Sequence, residues 1–206
     1  MNLIDEIRTA KYEIRGIKLG SFWVRAEAEG KKLVGVSFFH KKESSSVFEV
    51  NISGGNKDEI THPSPILERL QEDLINYWRG EKIDFSDYPL KLDNYSPFTK
   101  KVWTLTRKIP YGELRSYKWV AEKIHTKGYR AVGAALARNP FPIIIPCHRV
   151  IRENGSLGGY SPGLKIKRKL LERERVQLYA CRGTFPEVFL DYIDKDGIIV
   201  LSFREN

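Results

Sequence analysis

A chain of 206 residues, 41% hydrophobic and 30% charged, is long enough to bury one large core or two small ones, and its composition excludes disorder. No apolar run approaches a membrane span, and Met1 to Lys11 lacks the apolar core of a signal peptide; a cytoplasmic protein, nuclear in a eukaryote, with no membrane partner is expected. Two cysteines exclude a disulfide framework, and without Cys-x-x-Cys, and with His40, His62 and His125 scattered, no metal site is expected.

The first part reads as strands: Tyr12 to Leu19, Phe22 to Glu27 and Leu33 to Phe39 mix β-branched, aromatic and charged residues, with a turn at Glu29-Gly30-Lys31. A fourth strand is predicted at Val47 to Ile52 between serine and glycine loops. Ile66, Leu67, Leu70, Leu74 and Trp78 recur at helical spacing over Pro63 to Trp78, and Gly80 ends that helix. Lys82 to Asn94 reads as an extended linker. Ser96-Pro97 then caps a helix running to about Lys108, with Val102, Trp103 and Leu105 inward. The predicted domains are 1–94, an α/β structural domain with its linker, 95–176, and an extension over 177–206, where Val188 to Leu190 and Ile198 to Leu201 look like short strands.

The net charge of +9 is unevenly spread: Ser96 to Val176 holds 18 Lys and Arg against 5 Asp and Glu, leaving the remainder acidic. Such a segment attracts phosphate backbones, although a plain solvated face has the same composition. Within it, Ser116 caps a helix near Tyr117 to Ile124, Lys127-Gly128 breaks it, and a second helix near Arg130 to Arg138 stops at Asn139-Pro140. Two short helices around a glycine turn form a helix-turn-helix pattern. The second presents mostly alanine and glycine, which read few base edges but allow close backbone approach. That suits a minor groove and sequence-independent binding. A tight helix–helix contact inside a core would use the same residues.

The segment Pro146-Cys147-His148-Arg149-Val150 follows the apolar run Ile143-Ile144-Ile145. A lone cysteine in such a setting is more often a small buried hydrophobe. A thiol becomes a nucleophile as thiolate, and a neighbouring imidazole favours that form.

Together these residues resemble the O6-alkylguanine-DNA alkyltransferase family, the methylated-DNA–protein-cysteine methyltransferases. The resemblance runs from about Phe98 to Val176. It is carried by Ile109-Pro110-Tyr111-Gly112-Glu113, Ser116-Tyr117, Arg130-Ala131-Val132-Gly133 and Asn139-Pro140, then by Ile145-Pro146-Cys147-His148-Arg149-Val150, Gly155-Ser156-Leu157-Gly158-Gly159-Tyr160 and Gly163-Leu164. It implies an α+β protein in which a small sheet-plus-helix (ribonuclease H-like) domain precedes a mainly helical, winged helix-turn-helix-type domain. It also implies a stoichiometric suicide transfer of an alkyl group from guanine O6, or thymine O4, to Cys147, with no cofactor.

In that reaction His148, bridged through water, would be base to the thiol, and Glu174 would orient it, although Glu172 lies only two positions away. Asn139 would brace the active-site turn and Tyr117 would donate a proton to the guanine ring. Arg130 would fill the space left by the flipped nucleotide, and Ala131, Gly133, Ala134 and Arg138 would face the minor groove of double-stranded DNA. The base would sit against Tyr160, with Val150 and Ser161 at its polar edges and Pro140 and Pro142 shaping the apolar side. Extrusion is required because O6 lies on the pairing edge of guanine. Pro162 departs from the small residues common at its position, and the lip of the pocket is expected to be stiffer for it. A monomer is expected. The competing readings are an alkylated-DNA sensor, which would lack the cysteine, and a thiol-sensing transcription regulator, which would need side chains able to read bases.

Overall fold

The computed structural model describes residues 11–39 and 64–176 and, beyond them, four two-residue strands. His40, His62, Cys181, the strand expected at Val47 to Ile52 and that at Val188 to Leu190 lie outside the described residues. The chain divides into two compact units, Met1–Asp93 and Asn94–Asn206. Both mix helix and sheet. Among the described residues no helix is long and apolar enough to cross a membrane.

In the first unit, β1 (Lys11–Leu19), β2 (Phe22–Glu29) and β3 (Lys32–Phe39) form an antiparallel sheet in sequence order. Phe22, Val24, Ala26 and Ala28 alternate inward along β2, the period-2 pattern of a sheet with one covered face. Helix α1 (Pro65–Arg79) starts with proline in its first turn and ends at Gly80, whose φ of 96° closes the left-handed cap. Its buried stripe is Leu67, Leu70, Leu74 and Tyr77. Ile66 and Trp78, expected inward, are half-buried instead. The stripe repeats at three and four residues, which puts Tyr77 over the core; Trp78 meets the ring of Phe22 edge-on. The expected linker is partly paired: Leu33 N–H donates to Pro89 O and Lys91 N–H to Leu33 O, both at 2.8 Å.

The second unit opens with α2 (Pro97–Arg107), capped by Ser96 Oγ accepting from Thr99 N–H. Thr106 is buried where Leu105 was expected, its hydroxyl donating to Val102 O at 2.8 Å. The two-residue strands β4 (Arg115–Ser116) and β5 (Val150–Ile151) pair in parallel and bring the Tyr117 region beside the cysteine turn. Helices α3 (Tyr117–Lys123) and α4 (Tyr129–Ala137) pack on each other and on α2. Fully buried Trp103 anchors α4 by donating from Nε1 to Ala135 O at 2.9 Å. Helix α5 (Leu164–Arg173) completes a core of Leu114, Ile151, Leu157, Leu171 and Val176. Beyond it, Tyr179–Ala180 pairs with Pro186–Glu187 and Tyr192–Ile193 with Ile199–Val200, both antiparallel.

Candidate active site

Cys147 opens a single 3-10 turn, Cys147–Arg149, at the end of a tight loop. Within that loop Ile145 N–H donates to Phe141 O at 2.8 Å, and buried Ile143 takes a φ of 75°. A β-branched residue in this region is strained by roughly 1–3 kcal/mol, and such strain persists only where the surroundings over-determine it. Asn139 supplies much of that determination. Its Nδ2 donates to Ile145 O at 2.8 Å and to Cys147 Sγ at 3.1 Å, and its Oδ1 accepts from Phe141 N–H at 2.9 Å. One side chain therefore closes the loop and points a donor at the sulfur.

His148 and Glu174 are both buried, with Nε2 and Oε1 2.8 Å apart. Glu174, not Glu172, faces the histidine; Glu172 is exposed and pairs with Arg168 on the same helix. The Glu174 carboxylate also receives a two-pronged contact from Arg149, Nε to Oε2 and Nη2 to Oε1, each 2.9 Å. Gly112 N–H donates to its Oε2 at 3.1 Å. Gly112 has φ 78°, and a Cβ there would lie 3.1 Å from Glu174 O, so this approach requires glycine. Burial alone would raise the Glu174 carboxyl, but His148 and Arg149 outweigh it and hold the group well below the carboxylate range.

Burial pushes the His148 imidazole below its usual value, with Glu174 opposing. Burial likewise pushes the Cys147 thiol up, with the Asn139 contact opposing. Burial thus opposes charge on both the thiol and the imidazole. An imidazole with Nε2 committed to a carboxylate keeps Nδ1 as the nitrogen able to take a proton when the sulfur attacks.

Beside the cysteine opens a cavity of about 650 Å³, lined by Tyr117, Arg130, Gly133, Tyr160, Ser161 and Pro162 among others. Tyr117 Oη donates to Gly159 O at 3.3 Å, and burial raises its phenol, which keeps the proton on. Gly158, at φ 66°, lets the loop pass that ring; a Cβ would sit 3.0 Å from it. The Tyr160 hydroxyl is buried without a hydrogen-bond partner among the described residues. Ser161 Oγ bonds Ala137 O, tying the loop to α4. Pro142 and Val150, expected in the pocket, are buried outside its lining. Val150 has its N–H on Cys147 O and its carbonyl on Lys167. On α4, Arg130, Ala131 and Ala134 are exposed and Gly133 half-buried, while Val132, Ala135 and Leu136 face inward; Arg138, which caps the helix, is exposed. The outward alanines are thus not a core contact.

Two residues escaped sequence reasoning. Arg149 and Lys167 were counted in the basic surface, yet both are buried. Lys167 Nζ donates to Val150 O at 2.6 Å and to Leu157 O, bridging the cysteine turn to the following loop. Burial brings its pKa down to about 7. The native state then holds fewer protons than the unfolded chain between about pH 7 and pH 10, so this lysine's contribution to stability rises with pH across that window. We expect Lys167→Met to orphan two buried carbonyls and cost about 2–4 kcal/mol in denaturant unfolding. A change within error would show that the lysine is not holding these segments together. No local signal marks Lys167, whereas Arg149 adjoins the histidine and could have been suspected for that.

A buried thiol, an adjoining histidine, a carboxylate that orients it and a cavity opening on the sulfur define a nucleophilic cysteine site. Comparison with known proteins specifies which. Residues 97–176 match the model for the 6-O-methylguanine DNA methyltransferase, DNA binding domain. The methylated-DNA–protein-cysteine methyltransferase of Metallosphaera sedula is 50% identical over 105 residues, 51% of this chain and 65% of that protein. That of Methanopyrus kandleri is 46% identical over 108 residues, 52% of this chain and 80% of the relative. The crystal structure of Mycobacterium tuberculosis OGT in complex with DNA aligns with a TM-score of 0.58 at 33% identity, covering 74% of this chain and 86% of that one. The chain belongs to the 6-O-methylguanine DNA methyltransferase family. Its match spans just under two thirds of the Metallosphaera protein's length.

Proposed function

We propose that the protein repairs DNA by a single irreversible transfer, in which Cys147 Sγ displaces guanine from the alkyl carbon attached to O6. The S–C bond forms as the C–O6 bond breaks, and the thiol proton passes to His148, directly or through a water. Tyr117 donates its phenolic proton to the ring of the departing guanine, where negative charge develops. Glu174 acts through His148 as a positioning residue. No cofactor enters, and one chain carries every side chain the reaction uses, so a monomer suffices. The thiol joined to the 650 Å³ cavity carries this reading.

The partner is double-stranded DNA holding O6-alkylguanine. Helices α3 and α4 serve as the helix-turn-helix pair, with α4 in the minor groove. Exposed Ala131 and Ala134 permit close approach without reading sequence, Arg138 meets phosphate, and Arg130 fills the vacated stack. The flipped base lies against Tyr160 and Ser161. The first unit, with its three-stranded meander and helix, is the ribonuclease H-like structural domain; residues 95–176 form the winged DNA-binding and transferase domain, and 177–206 an extension. Duplex DNA as substrate implies the compartment that holds it, the cytoplasm or, in a eukaryote, the nucleus. Cys147 disfavours a sensor, and an alanine-lined helix disfavours a sequence-specific regulator.

The test is intact-protein mass spectrometry after mixing with a duplex containing O6-methylguanine. The expected result is a stoichiometric gain of about 14 Da mapped to Cys147, the mark of covalent transfer to a thiol. An unchanged mass with lesion-selective binding would make the protein a sensor.

A further inference from the structure

Tyr129 is the large hydrophobic side chain left exposed among the described residues, 45% accessible at the first position of α4. Among the described residues, the other aromatics of this unit are buried or half-buried. Tyr129 lines the same cavity as Cys147 and stands next to Arg130, which lines it too. Basic residues adjoin it in the chain. Lys127 and Arg130 are exposed, α4 carries no acidic residue, and exposed Lys118, close enough to feel the phenol, is paired with Glu153.

We infer that Tyr129 is a stacking wedge for duplex DNA, packing its ring against the nucleotide that flanks the extruded base. This inference rests on the reading under Proposed function. At 45% accessibility, Tyr129 leaves close to half of its surface in water. Against a base it gains a flat apolar partner, and minor-groove proteins use apolar side chains in this way to hold a step unstacked. The cations around it match the phosphates on either side of such a step. Tyrosine also suits the task because two torsions fix its ring, so little freedom is lost on stacking. Arg130 would then replace the missing base while Tyr129 holds its neighbour, and the pair would keep the duplex open while the sulfur attacks. The wedge acts on duplex substrate and has little to offer a free nucleoside.

Tyr129→Ala and Tyr129→Trp would be compared with the wild type on two substrates: a duplex with O6-methylguanine beside 2-aminopurine, and the nucleoside O6-methyl-2′-deoxyguanosine. The ratio of duplex to nucleoside transfer rate is expected to fall about tenfold in Tyr129→Ala, the size of one lost base–aromatic stack, and to be retained in Tyr129→Trp. The 2-aminopurine emission should be quenched on binding by wild type and Tyr129→Trp, and less so by Tyr129→Ala. A ratio within twofold of wild type in Tyr129→Ala, with wild-type transfer intact, overturns the wedge. A wild-type protein inert toward both substrates overturns the transferase reading itself.

Discussion

Replacing Cys147 by alanine should leave no transfer of methyl from O6-methylguanine duplex to protein, while affinity for that duplex stays within a few-fold of wild type. The reaction has no second nucleophile to fall back on, because the cavity opens on this sulfur and the other lining residues are poor nucleophiles at neutral pH. The fold should survive the change. Asn139 Nδ2 loses its contact with Sγ but keeps Ile145 O, so no buried donor is orphaned, and the missing atom is small. Intact mass and fluorescence-anisotropy titration read the two outcomes separately. A mass gain in the alanine variant would move the nucleophile elsewhere. Loss of DNA affinity with an unchanged melting curve would instead make the thiol part of the binding surface.

The parts of this protein legible from sequence are those written locally. Alternation along Phe22 to Ala28 and the Ser96 and Ser116 caps lie within a few residues of what they build, and those elements form within one or two residues of expectation. Asn139, Cys147, His148 and Glu174 were named through the family resemblance, and the structure joins Asn139 to Cys147 and His148 to Glu174. What stayed hidden was the fate of charge. Lysine and arginine are surface residues by default, so a count assigns them all to a DNA-facing patch. Burial of Arg149 depends on Glu174, 25 positions on, and burial of Lys167 on carbonyls 10 and 17 positions back. Loop closure of that kind leaves no periodic trace. Gly112 is similar: a glycine in a turn is unremarkable until the carboxylate that its N–H meets is placed 62 residues away.

Glu174→Gln tests whether this buried carboxylate works on the chemistry or only on the fold. It satisfies four contacts at once, from His148, twice from Arg149 and from Gly112. Neutralising it strands the Arg149 cation in the interior, and breaking a buried pair in this way costs about 3–5 kcal/mol. Because the native carboxyl is depressed, its contribution is present above the unfolded carboxyl range near pH 4–5 and is lost as pH falls below it; the glutamine variant should show less of that acid loss. A structural role alone would stop there. The chemical role predicts more. Glu174 favours the imidazolium form of His148, so its removal lowers the imidazole pKa further and weakens the base. The pH-independent transfer rate should then fall on the order of 10²-fold, the scale of general-base catalysis, while the acid limb of the rate profile moves to lower pH. Single-turnover transfer measured from pH 5 to 9, under conditions where the variant is folded, distinguishes the two. A reduced rate with an unmoved limb would leave Glu174 as a brace for Arg149. A reduced rate with a shifted limb would place it in the proton path of the thiol, as the partner that lets a buried imidazole carry charge while the sulfur attacks.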